Sequence, residues 1–257
     1  MKRILVIGIG AGDPDHVTMQ AVKALNKAQV FFVFDKGDEK AELTALRREI
    51  CARYITGENY RIVEIPDPVR DEAVASYGAR VEAWHKQRAA LVAAAIAREL
   101  GDEGTGAFLV WGDPALYDST LRILQHVLDD DPGAVAVEVI PGITSVQVLA
   151  ARHAIALNSI GGPVHITTGR KLKDGLPAGC DSVVVMLDDG SGLAGVAAEG
   201  LDIYWGAYLG TGDEIVISGE LEKVRAGILA KRQTGKQRKG WIMDTYLLRR
   251  RKGKMGK

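Results

Sequence analysis

Cysteine is nearly missing from this sequence. Cys51 and Cys180 stand alone with no partner motif, which excludes a disulfide framework and a cysteine-built zinc site. Long apolar runs are missing too. Ile4 to Ile9, the longest near the start, is far too short to cross a bilayer or to act as a signal h-region. These absences lead us to expect a cytoplasmic protein with no membrane partner. A net charge is also lacking, since 33 Lys and Arg balance 33 Asp and Glu. The five histidines, His16, His85, His126, His153 and His165, are scattered, and each is more simply structural than catalytic. No Ser-His-Asp spacing and no metal-ligand cluster is evident, so no metal is expected.

What is present is uneven. Residues 223–257 hold 13 Lys and Arg against the single acid Asp244, a local charge of +12. Such a field attracts a polyanion, and both a nucleic acid and a small molecule with several carboxylates fit it. The stretch Arg249 to Lys257 reads as a frayed, solvated tail. The length of 257 residues suffices for one large domain or two small ones.

The alternation of elements predicts an α/β fold. Residues 3–9 read as a fully buried first strand, and Gly8-Ile9-Gly10-Ala11-Gly12-Asp13-Pro14 follows it. With Asp35 at the end of the next apolar run, this resembles the opening of a dinucleotide fingerprint. Asp13 stands where the third glycine belongs, however, and the helix starts late, with Thr18 as its N-cap. The loop is therefore a poor pyrophosphate cradle. Helices are expected over 39–53 and 72–100, with a strand at 61–65 between them. Val81, Trp84, Arg88, Leu91, Val92, Ala95 and Ile96 mark one face of the second helix.

Phe108 to Trp111 reads as a strand that stops at Gly112-Asp113-Pro114. Ser119 or Thr120 is placed to cap the helix beyond it. A third junction follows, a strand at 135–140 running into Pro141-Gly142-Ile143-Thr144-Ser145 and a helix. Glycine lets a ligand approach the backbone, and strand ends that run into helices are where open α/β sheets bind ligands. Past Gly161-Gly162 the pattern changes to strands at 163–168, 182–188, 203–209, 214–219 and 240–248. Helices are expected there only over 192–200 and 221–232. This predicts a mixed sheet in a second domain, giving domains 1–158 and 159–257.

Five stretches in this order resemble the successive motifs of the tetrapyrrole methylases: Gly8 to Pro14, Trp111 to Pro114, Ile140 to Ser145, Val183 to Met186 and Leu209 to Thr211. The resemblance covers about residues 3–221. It implies two α/β domains, a mainly parallel N-terminal sheet and a mixed C-terminal one, with S-adenosyl-L-methionine in the cleft between them. Trp111 before the glycine, and Lys239-Gly-Trp-Ile-Met-Asp-Thr-Tyr-Leu-Leu-Arg249, resemble the subgroup that methylates C1 of precorrin-5 in aerobic cobalamin synthesis. That subgroup releases the acetyl group as acetate. A homodimer is implied as well.

By the same resemblance, Ala11, Trp111, Gly112, Asp113, Leu116, Thr144, Ser145, Met186 and Gly210 would surround the cofactor. Many family members have proline where Ala11 stands. Loss of the acetyl group needs water and a base, for which Asp113, Tyr117 and His165 are candidates. Lys36, Arg170 and Lys171, near predicted strand ends, are candidates for the substrate carboxylates. Two other readings stay open: a methylase of the same fold acting on RNA or protein, and a non-enzymatic nucleotide- or RNA-binding module.

Overall fold

The computed structural model describes residues 1–35, 41–69, 76–172 and 175–251, which form two compact units, Met1–Thr144 and Ser145–Lys257. The first unit is built on β1 (Arg3–Gly8), β2 (Val30–Asp35), β3 (Arg61–Pro66), β4 (Thr105–Val110) and β5 (Ala136–Ile140). They form one sheet in the order β3-β2-β4-β1-β5, and every pairing is parallel. Its helices are α1 (Met19–Leu25), α2 (Ala41–Tyr54), α3 (Tyr77–Glu99) and α4 (Thr120–Asp130).

Why the strands are continuous apolar runs is visible in β1. Ile4 and Val6 join the core shared with α3 and α4. Leu5 and Ile7, one residue out of step, join the core shared with α1 and α2. A strand covered on both faces has no polar side to show. Cys51 lies in the second of these cores, and burial pushes its thiol up to about 11, which makes it inert at neutral pH.

The caps follow the sequence in part. Thr18 Oγ1 accepts the Ala21 amide at 3.0 Å, as expected. At α4 neither expected hydroxyl caps. Ser119 is the N-cap residue but its side chain makes no capping bond, and the Asp118 carboxylate takes the Thr120 amide at 2.7 Å instead. Ser119 Oγ faces Arg88, 3.5 Å away.

The second unit contains α5 (Ser145–Arg152), β6 (Val164–Thr168), α6 (Gly169–Leu172), β7 (Ser182–Met186), α7 (Ser191–Gly195), β8 (Leu201–Ala207), β9 (Ile215–Glu220), α8 (Leu221–Lys239) and β10 (Asp244–Arg250). The sheet runs β6-β7-β10-β8-β9 and is mixed: β6 and β7 are parallel and the remaining pairs antiparallel. The division lies before α5 rather than near residue 158, because α5 packs on β8 and β10.

Two expectations are corrected here. Helix α8 runs on to Lys239, past the expected end at 232, and Gly240 closes it with φ +77°. Nor is the chain frayed from Arg249. Arg249 donates to the Ala156 and Leu157 carbonyls at 2.6 and 2.9 Å, the Arg250 amide donates to Asp181 O at 2.9 Å, and the Arg251 amide to Gly200 O at 2.8 Å. Residues 252–257 lie outside the described residues.

Much of the basic stretch is occupied as well. Arg238 and Lys239 both reach Asp213 at 2.6 Å, Lys223 pairs with Glu220, and Arg251 pairs with Glu220. A chain ended after Leu248 is therefore expected to unfold about 4 kcal/mol more easily than one ended after Arg251, at roughly 1 kcal/mol for each of the four hydrogen bonds of Arg249, Arg250 and Arg251. Urea midpoints of the two chains check this, and equal midpoints would show that the contacts contribute nothing.

Candidate active site

The three glycine junctions follow β1, β4 and β5, which are adjacent in the sheet. Their loops thus emerge side by side at the carboxyl ends of the strands, where the strand order switches direction around β1. This is the end at which open parallel sheets take ligands. A groove lined by Gln29, Tyr60, Arg61, Glu99 and Gly104 lies at the opposite end, among the starts of β2, β3 and β4.

The loops cross glycine on glycine. The Gly112 amide donates to Gly10 O at 2.7 Å. A Cβ on Gly142 would stand 2.1 Å from Gly112 O and 2.8 Å from Gly8 Cα, and one on Gly8 would stand 2.6 Å from the Gly142 nitrogen. Gly112 itself needs its residue type for another reason, a φ of +68°.

Asp113 ties this crossing together. Its Oδ2 accepts the Gly142 amide at 2.8 Å and its Oδ1 the Ala115 amide at 2.8 Å. Both oxygens of this candidate base are engaged by backbone. Tyr117, two residues beyond Ala115, is a non-glycine residue at φ +53° with 43% of its surface exposed. Backbone in this region costs energy and gathers at functional loops. Burial pushes the Tyr117 phenol up, so it stays protonated at neutral pH.

Of the first unit's other expected site residues, Ala11 adjoins Gly10 in the crossing and is buried, as is Thr144. Trp111 and Leu116 are half-buried in the β4 loop. After Gly12 the chain makes a single 3-10 turn, Pro14–His16, capped by Asp13, before α1 begins. The helix N-terminus that a dinucleotide needs is thus displaced from the loop.

In the second unit, Ser145 and Met186 meet through a residue the sequence did not single out. Ser145 Oγ lies 2.8 Å from Thr245 Oγ1, and Thr245 stands opposite Met186 across β10 and β7. Gly210 has φ +79°, and its amide donates to Glu214 Oε2 at 2.7 Å. His165 is exposed on the edge strand β6, opposite Val183. It is three residues from Thr168, the partner of Met186, and so about 10 Å along the strand from it. Arg170 and Lys171 are exposed in α6. Lys36 lies outside the described residues.

Sequence reading also missed the polar network that anchors the turn after Met186. Asp188 takes the amides of Gly190, Gly192 and Leu193 at 2.9–3.0 Å and the Tyr246 hydroxyl at 2.7 Å. Arg232 donates to Asp188 O at 2.7 Å and pairs with Asp244, which also accepts the Trp205 indole at 2.7 Å. Leu187, between Met186 and this anchor, is held at φ +50° with 63% of its surface exposed. The local signal was the run Asp188-Asp189-Gly190-Ser191-Gly192, an Asx-turn composition.

The family of tetrapyrrole (corrin/porphyrin) methylases matches residues 3–225. The precorrin-6A synthase [deacetylating] of a Sinorhizobium species is 52% identical over 250 residues, 97% of this chain and 96% of that protein. A crystal structure of a cobalamin-synthesis-related protein, CobF, from Corynebacterium diphtheriae has a TM-score of 0.85 at 41% identity, covering 98% of this chain and all of that one. The uroporphyrin-III C-methyltransferase of Thermus thermophilus, complexed with S-adenyl homocysteine, shares the fold at a TM-score of 0.55 and 19% identity over 96% of this chain and 91% of that one. With two α/β units, one sheet parallel and one mixed, and a family match over residues 3–225, the chain belongs to the tetrapyrrole methylase family.

Proposed function

We propose that this protein is a precorrin-6A synthase. It transfers a methyl group from S-adenosyl-L-methionine to C1 of precorrin-5 and releases the acetyl group as acetate, giving precorrin-6A in aerobic cobalamin synthesis. The observation that carries this reading is the 52% identity to a deacetylating precorrin-6A synthase over nearly the whole of both chains. In this reading the protein works in the cytoplasm as a homodimer. No helix among the described residues is long and apolar enough to cross a membrane.

The cofactor supplies a methyl group already activated by its sulfonium, so the chain has to hold and orient rather than attack. What supports this reading is the glycine crossing, where the loops after β1, β4 and β5 pack backbone on backbone. Ala11, Trp111, Gly112, Leu116, Thr144, Ser145, Met186 and Gly210 are the proposed cofactor residues. Asp113 joins them as the residue that keeps the loops in register. With its carboxylate engaged by two amides, the water step falls to another residue. Tyr117 is the proposed hydrogen-bond donor of that step, since its phenol stays protonated, while His165, about 10 Å along β6 from the partner of Met186, is given no role. Arg170, Lys171 and Lys36 are the proposed partners of the substrate carboxylates. An RNA substrate is disfavoured because so many of the basic residues over 223–251 are already paired within the fold.

Incubation with precorrin-5 and methyl-labelled cofactor tests the reading. Label in the corrin and one acetate released per methyl are expected, with cofactor affinity in the micromolar range, about −8 kcal/mol. Methyl transfer without acetate would assign the chain to another carbon of the macrocycle. Failure to bind the cofactor or its demethylated product would overturn the proposal.

A further inference from the structure

Away from the strand-end loops, three side chains meet on the outer helices of the first unit in an arrangement the methyl transfer does not use. Helices α3 and α4 pack side by side. Glu82 and His85 sit one turn apart on α3, and His126 faces them from α4. One ligand-capable atom from each lies within 4.8 Å of the other two. The pair His126 Nε2 and Glu82 Oε1 is 3.4 Å apart. A tetrahedral zinc with bonds of about 2.0–2.1 Å holds its ligand atoms about 3.3–3.4 Å from one another, so this edge already has the spacing of a metal site. The other two edges are at most 4.8 Å, and closing them takes a change of imidazole rotamer as well as rotation of the exposed Glu82 side chain.

We propose that Glu82, His85 and His126 bind a borderline divalent transition metal of the zinc class, pinning α3 to α4 and leaving one coordination position to solvent. A Glu-x-x-His pair on one helix with a further ligand from its neighbour is a donor set that metal-binding bundles use. Two imidazoles and one carboxylate suit zinc or cobalt(II) rather than magnesium or calcium. His85 is buried, so its ring is held in place between the two helices. The neighbouring cations are Arg88 and Arg122. Arg88 is already neutralised by a two-pronged pair with Asp67. The sequence hides the set because His126 stands far down the chain from the other two.

The competing arrangement is a surface ion pair between Glu82 and a protonated His126, which would need no metal. Tag-free, chelator-stripped full-length protein titrated with Co²⁺ separates the two. One equivalent should give the visible absorption of four-coordinate cobalt, and one equivalent of Zn²⁺ should abolish it. Zinc in excess should raise the thermal midpoint. Glu82→Gln, at an exposed position, and His126→Ala, at a half-buried one, should each fold and bind at least about 100-fold more weakly. Absence of stoichiometric binding by the unaltered protein, or undiminished binding by His126→Ala, would overturn the proposal.

Discussion

Gly142→Ala is expected to weaken cofactor binding about 100-fold, near 2.8 kcal/mol, and to cost about 3 kcal/mol of stability. A single methyl has this effect because of what it meets. The new Cβ would stand 2.1 Å from the Gly112 carbonyl oxygen and 2.8 Å from two backbone atoms of Gly8. A flexible side chain could swing aside; three crossing backbones cannot. Relief requires the β4 loop to separate from the β5 loop, which breaks the hydrogen bond from the Gly142 amide to the Asp113 carboxylate and releases the residues proposed to hold the cofactor. Gly101→Ala is the control, since nothing lies within 4 Å of its Cβ position. Titration calorimetry and urea unfolding of both variants check this. Affinity within twofold of the parent in Gly142→Ala would remove the crossing from the binding site.

Arg232→Ala should destabilise the protein by about 3–5 kcal/mol at neutral pH, the cost of leaving a buried carboxylate unpaired. Arg232 and Asp244 are each at most 8% exposed. Burial already pushes the Asp244 carboxyl up, and the neighbouring Arg232 guanidinium is the main influence pulling it back. Without the arginine the carboxyl rises further. A group whose folded pKa is raised favours the fold below its unfolded value, and that benefit is lost as pH climbs through the folded value. The deficit should therefore be full at neutral pH and shrink on acidification, as Asp244 takes up a proton. Arg232→Ala combined with Asp244→Asn should recover part of the loss by removing the charge. A deficit independent of pH would mean that Arg232 acts through packing alone.

The two halves of the molecule were unequally legible. In the parallel unit the inner strands are largely buried on both faces, so Ile4 to Ile9 and Val30 to Phe34 announced themselves as apolar runs closed by glycine or acid. The three glycine loops at strand ends were legible too, since glycines there are local signals. The roles of Asp188, Arg232, Asp244 and Thr245 were not. Tyr246 reaches Asp188 across 58 residues, and Thr245 meets Ser145 across 100. Arg232 stood at the expected helix end with nothing local to mark it, because its partner Asp244 lies beyond that helix. Local composition misplaced that end, which in turn shifted the expected last strand from Asp244–Arg250 to 240–248.

The position of β10 has a consequence for how the protein comes into being. It is the last strand in chain order, yet it sits at the centre of its sheet, between β7 and β8. During synthesis the parallel sheet can close once residue 140 has cleared the ribosome. The second sheet cannot: until residue 250 emerges, β7 and β8 each present an open edge of unpaired amides and carbonyls. The nascent chain thus carries a finished sheet and two unfilled edges for the time it takes to translate α8 and the strand after it, the interval in which a neighbouring chain on the same message has most to pair with.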